Sequence, residues 1–179
     1  MRKRWLTIVL LWAGLLSGCG ASVPGDAVLF DFESDADLDR INWQCFVEYS
    51  LSHRFATQGL RSLKVDLYPS AFPGFNPVLS ISDWKRFKFL EFDIANPAAT
   101  EFPVSLKIDD RPGPPGPTDR FSRRLLVRPG INHVTVHLDE LVSGNGRRMD
   151  LGRIEKLFLV CEDLTAPVTF YLDDIRLNK

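Results

Sequence analysis

Signatures for most enzyme and metal chemistry are missing from this sequence. It has three cysteines and three histidines in 179 residues. No GxSxG, HExxH or CxxC occurs, which removes the nucleophile elbow, the zincin helix and the dithiol motif. His133 and His137 are four residues apart. In an extended strand that is roughly 13 Å, too far for one metal ion to bridge. The start of an EF-hand loop is mimicked by Asp35, Asp37 and Asp39, but Arg40 holds the glycine position and Phe46 the final glutamate position, so that motif fails. Long helical periodicity and internal repeats are lacking. So is an apolar run long enough to span a bilayer: the uncharged stretch 5–16 falls short of the ~20 residues required.

That stretch has a different meaning. It follows a basic leader, Arg2, Lys3 and Arg4, and precedes Leu16, Ser17, Gly18 and Cys19. A basic start, a short apolar core and small residues form a secretory signal. The LSGC motif resembles the lipobox of bacterial lipoproteins. The resemblance, which covers the first nineteen residues, implies a signal peptide over 1–18 and lipidation at Cys19. The small residues and Pro24 that follow read as a tether, giving a lipidated tether over 19–26 and a domain over 27–179. In that family an aspartate after the cysteine retains the protein at the inner membrane. Gly20 stands there, which favours the outer membrane in an organism that has one. The alternative is an ordinary signal cut near Ala21.

Without the three basic residues of the leader, 19 Lys and Arg face 23 Asp and Glu, a formal charge of −4. Nucleic acid calls for a basic face and is not expected as a partner; the expected export argues against it more strongly than the charge does. The expected form is a monomer. Cys45 and Cys161 remain as thiols, both on the parity of apolar neighbours. They read as two small buried hydrophobes, with a disulfide left open because sequence does not give their separation.

What the chain has in quantity is period-two alternation. Strands are expected at 27–33, 43–49, 60–68, 87–95, 104–109, 121–127, 132–138, 156–161 and 167–177, separated by Gly and Pro turns. Residues 34–40, 69–77 and 110–118 read as loops. One helical turn is expected at 150–155 with Asp150 as its cap. About nine strands without helices predict an all-β, two-sheet antiparallel sandwich. The first and last strands both end in acids, which suggests that the termini meet in one sheet. The alternation of the last strand changes parity at Asp173 and Asp174, as a bulge would require.

Opposite the core positions lie Glu91, Asp93, Lys107, Asp109, Arg124, His133, Thr135 and His137. On a concave sheet these would bond the hydroxyls of a sugar. Trp43 and Tyr49 are the candidate aromatic platforms, whereas Trp84 reads as a core residue. Asp93 and Asp109 are the one pair of carboxylates that could face each other at glycosidase separation. Asp31, Glu33, Asp173 and Asp174 would converge if the terminal strands are neighbours. They could then bind calcium or pair with Arg61 and Arg176.

The motifs follow a familiar order: FDFE at 30–33, GLRSLKVD at 59–66, a tryptophan-led FxxLxFDIxN run at 84–96, PGIN at 129–132 before VTV, and FYLDDIRL at 170–177. Together they resemble the galactose-binding-like β-jelly rolls of the carbohydrate-binding-module type. The resemblance implies two facing antiparallel sheets, glycan binding and no catalysis. It also implies a structural calcium held by Glu33, by Asp173 or Asp174, and by carbonyls near 58–62. Such modules are usually linked to a catalytic domain; here a lipid anchor is expected in its place. The expected function is therefore an exported, lipid-anchored, non-catalytic module that binds carbohydrate at the cell envelope. The alternatives are an envelope protein that binds or organises other proteins, and a small glycan-active enzyme.

Overall fold

The structure is a computed structural model and describes residues 25–42, 44–113 and 116–179. Its ten strands are β1 Ala27–Phe30, β2 Val47–Ser52, β3 Ser62–Leu67, β4 Gly74–Phe75, β5 Phe89–Asn96, β6 Phe102–Asp109, β7 Phe121–Val127, β8 Gly130–His137, β9 Lys156–Val160 and β10 Val168–Asn178. They form two antiparallel sheets. One runs β2-β3-β10-β5-β8 with β1 also paired to β10, and the other runs β4-β9-β6-β7. The termini do meet, with Ala27 opposite Leu177.

Alternation builds the core. Leu63, Val65 and Leu67, Leu90, Phe92 and Ile94, Phe170 and Leu172 point inward from the six-stranded sheet. Val104, Leu106 and Ile108, with Leu157 and Leu159, answer from the four-stranded sheet. Each such side chain contributes roughly 1.5–3 kcal/mol by leaving water. Trp84 is fully buried and its indole N–H donates to the Ile81 carbonyl at 2.9 Å. The expected bulge is present: β10 slips against β5 between Asp173 and Arg176, and Asp174 has φ 53°. That left-handed turn returns Ile175 and Leu177 to the core side.

Local departures have local causes. β1 ends at Phe30, and the segment 34–40, expected as a loop, contains a 3₁₀ turn at Asp35–Arg40 whose cap is the Ser34 hydroxyl accepting from Ala36 N–H. The second strand begins at Val47, not at 43. Cys45 and Phe46 form a turn with Phe46 at φ 68°, so Cys45 is exposed instead of buried. Both thiols are free. Cys161 is buried, and burial pushes its thiol up to about 11. The two-residue β4 lies inside the Pro-rich stretch that reads as a loop. It can pair because Gly74 presents no Cβ, which would stand 2.2 Å from the Leu159 carbonyl. At 150–155 there is a turn, not a helical turn, with the Asp150 carboxylate accepting from Gly152 N–H.

Candidate functional site

The outer face of the four-stranded sheet is built by the residues that alternate with the core. Register places Lys156, Asp109 and the nearby Arg120 at one level, then Phe158, Lys107 and Ser122, then Val160, Ser105 and Arg124. Loops rise around this lattice and close a cleft of about 480 Å³, lined by Gln44, Phe72, Lys107, Pro117, Arg120, Ser122, Phe158, Val160 and Glu162. Phe72 is 61% exposed, a large ring left in water at the rim. The Lys107 ammonium lies 5.5 Å from its centroid, and the Arg120 guanidinium 5.9 Å from that of Phe158.

The charges of the cleft are ordered. Lys107 pairs with Glu162 at 2.6 Å, and this bond holds the Glu162 carboxyl below the usual carboxylate range. Arg120 donates to Asp109 at 3.0 Å. Asp109 is buried, and desolvation raises its carboxyl despite that partner. One of its oxygens, Oδ1, and the Arg120 Nε have no hydrogen-bond partner among the described residues.

One wall of the cleft belongs to a Pro- and Gly-rich loop, which supplies few backbone donors to hold it. Arg147 clamps it from outside, donating to both oxygens of Asp110 at 2.6 and 2.8 Å and to Asp119 at 2.9 Å. These bonds hold the Asp110 carboxyl below its ordinary range. Asp110 also accepts from Asp150 N–H at 2.6 Å.

The outer face of the six-stranded sheet is different. It carries Glu48, Asp66, Glu91, Asp93, Asp173 and Asp174 against Lys64 and Arg176. Part of it is covered by the loop at 53–61. Phe55 packs on Tyr171 with centroids 4.9 Å apart. Asp173 accepts from Thr57 and Gln58 N–H at 2.6 and 3.0 Å, and Glu33 from Leu60 and Arg61 N–H at 2.8 and 2.7 Å. Gly59 makes this possible. It has φ +69°, and a Cβ there would stand 2.6 Å from the Glu33 carboxylate.

This arrangement tests the calcium expectation. A cation needs carboxylate and carbonyl oxygens aimed at one point. Here the loop turns amide N–H groups toward Glu33 and Asp173, Asp31 accepts from Glu33 N–H, and Asp174 pairs with Arg176. Among the described residues no three His, Cys, Asp or Glu side chains gather as metal ligands. The residues do not fit the ion; the pairing of Asp174 with Arg176 matches the other reading of these acids, whereas Arg61 pairs with Asp35, which is not one of the four, and donates to the Glu33 backbone carbonyl.

The candidate sugar residues do not form one site. Lys107, Asp109 and Arg124 share the four-stranded face, whereas Glu91, Asp93 and His133 share the other, where His133 pairs with Asp93. Asp93 and Asp109 therefore lie on opposite sides of the sandwich and cannot act together on one bond. Tyr49 is not a platform: its ring is core, 6% exposed, and its hydroxyl donates to the Gly74 carbonyl at 2.6 Å. Trp43 and Cys19 lie outside the described residues. Sequence reasoning missed Phe158, although its parity was readable from inward Leu157 and Leu159. It also missed Phe72, Gln44 and Arg120, which loops deliver and no period announces.

No protein-family model matches the chain, and no curated protein matches it. Solved structures do. A domain of an exo-β-agarase matches with TM-score 0.69 and 20% identity over 84% of this chain, which spans 24% of the agarase. A family 11 carbohydrate-binding module from Clostridium thermocellum, in complex with a β-1,3-1,4-mixed-linked tetrasaccharide, matches with TM-score 0.65 and 15% identity. There 88% of this chain covers 97% of the module. A family 30 module matches with TM-score 0.53 and 14% identity over 86% of this chain and 87% of the module. The fold is thus the two-sheet jelly-roll sandwich found in carbohydrate-binding modules.

Proposed function

We propose that the chain is an exported, lipid-anchored, non-catalytic carbohydrate-binding module whose ligand lies across the cleft of the four-stranded sheet. The observation that carries this reading is the cleft itself: the exposed Phe72 and the half-buried Phe158 line it beside Lys107, Arg120, Ser122, Gln44 and Glu162. A pyranose stacked on an aromatic ring buries C–H surface worth roughly 25 cal/mol per Å². The hydroxyl, amide and charged groups around the rings then bond the sugar hydroxyls. Trp43, adjacent in sequence to the cleft residue Gln44, is proposed as a further ring. The likeness to modules that include one in complex with a β-1,3-1,4-mixed-linked tetrasaccharide supports a glycan as the ligand class.

The lipid anchor at Cys19 rests on the LSGC motif, and Gly20 favours the outer membrane. Several acyl chains hold a protein firmly to a bilayer, whereas one holds it marginally. Cys19→Ser is expected to abolish metabolic lipid labelling and release the protein from membranes. A membrane-bound variant of a protein that never takes the label would defeat the anchor. For the site, affinity electrophoresis of the full chain in gels of lichenan, agarose and acidic polysaccharides is the test. Retardation by at least one glycan, lost in Phe158→Ala with the fold intact, is expected. Free migration in every gel would defeat the reading.

A second reading, a protein partner at the envelope, has one observation in its favour. The open edges of β7 and β8 flank a groove of about 560 Å³ that Leu125, Leu126 and Val134 help to line, and Leu126 is 52% exposed. Leu126→Asp would then abolish a cross-link to another envelope protein without changing glycan retardation.

A further inference from the structure

The carbohydrate reading leaves the kind of glycan open, and the charge of the cleft face narrows it. Lys107, Arg120, Arg124 and Lys156 stand on the outer face of the four-stranded sheet against two acids, Asp109 and Glu162. Asp109 is buried under its bond to Arg120, and Glu162 is committed to Lys107. Arg124 and Lys156 are exposed and form no ion pair among the described residues, although the charge of Arg124 helps to hold the Glu162 carboxyl down and that of Lys156 acts in the same direction on Asp109. Each flanks the cleft at a different level of the lattice: Lys156 is opposite Asp109, and Arg124 opposite Ser105. The surplus of positive charge is local, because the chain as a whole is acidic and the opposite face carries mostly acids.

A neutral sugar hydroxyl can accept a hydrogen bond from a cation at the margin of a binding face, but it leaves that charge uncompensated. An anionic group pairs with the charge as well as accepting the bond, and a field of one sign raises the local concentration of a ligand of the other sign. We infer that the ligand is a glycan bearing anionic groups, carboxylate or sulfate, with the sugar faces on Phe158 and Phe72 and the charges directed to Arg124 and Lys156. This rests on the carbohydrate reading of the cleft.

The test is a calorimetric titration of the detergent-solubilised full chain with four probes: oligogalacturonate for carboxylate, ι-carrageenan oligosaccharides for sulfate, and lichenan and agarose oligosaccharides as neutral glycans. At low salt at least one acidic probe should bind about tenfold tighter than either neutral one, and which acid binds identifies the anion. Its affinity should fall several-fold between about 0.05 and 0.5 M NaCl, as the Debye length shortens from about 14 to 4 Å. Arg124→Gln and Lys156→Gln, both at exposed positions, should each cost about threefold toward the acidic probe, so that the double variant loses its roughly tenfold preference, and should flatten the salt dependence of its binding. Neutral binding with no preference for an acidic probe would overturn this inference and leave the carbohydrate reading standing. Binding of none of the four would overturn both.

Discussion

The two outer faces of this sandwich are built by the same rule and end differently. On the six-stranded sheet the charged positions are mostly acids, and the chain uses two acids to tie its own loop down over the strands. On the four-stranded sheet the charged positions are mostly basic, and the loops stand up at the margins and leave a cleft between the exposed Phe72 and the half-buried Phe158. A face whose carboxylates are already bonded to loop N–H groups, Lys64, His133, Arg176 and Asn178 has few groups left for a ligand. A face with unpaired cations and a half-exposed phenylalanine still has free binding energy. Charge and loop attachment, more than strand pattern, distinguish the closed face from the open one.

The sharpest way to break this contrast is to detach the closed face. Asp173 is buried and accepts two amides of the covering loop. Asp173→Ala should cost about 3 kcal/mol in urea unfolding, the sum expected for bonds to a charged acceptor and orphaned donors. Asp173→Asn, which keeps an acceptor, should cost less. Glycan affinity at the far face should not change in either variant while it is folded.

Next is the clamp on the open face. Arg147→Met removes the bonds that hold Asp110 and should cost about 2 kcal/mol at neutral pH. The sign with pH follows from the depressed Asp110 carboxyl. Its stabilisation is present above the unfolded value, about 3.9, and is lost as pH falls through the lower folded value. The stability of the native protein should therefore drop below about pH 4, and the variant should show a flatter acid limb in urea melts at stepped pH. Unlike Asp173→Ala, this variant should also weaken glycan binding, because its loop forms a wall of the cleft.

Smaller effects separate core from site. Tyr49→Phe loses one buried hydroxyl bond, to Gly74, and should cost about 1 kcal/mol with no change in glycan retardation. A chelator should leave the melting temperature where it was, since Glu33 and Asp173 are satisfied by amides. A drop in melting temperature on adding EDTA, restored by calcium, would show that the loop carries a cation after all.

The sheets were legible in the sequence because alternation is a local pattern that one buried face enforces. The parity switch in β10 was readable at Asp173 and Asp174, and the meeting of β1 with β10 from their matching ends. The site was less legible, for two physical reasons. Parity tells that Asp93 and Lys107 point away from the core, but not which sheet each strand joins, so residues of opposite faces looked like neighbours. Loop side chains such as Phe72 and Arg120 reach the cleft by tertiary placement, which no periodicity encodes. Tyr49 misled for a third reason. Its parity was inward, with Val47, and a core tyrosine needs only one acceptor, which the Gly74 carbonyl supplies.

The most direct test of the contrast between faces is to map amide chemical shifts of the ¹⁵N-labelled protein as the acidic glycan that binds is titrated in. The account predicts shifts at Gln44, Ser122, Arg124 and Phe158, on the four-stranded face, with Thr57, Asp93 and His133 unmoved. Shifts concentrated at Asp93, His133 and the covering loop, with Phe158 and Ser122 silent, would contradict it.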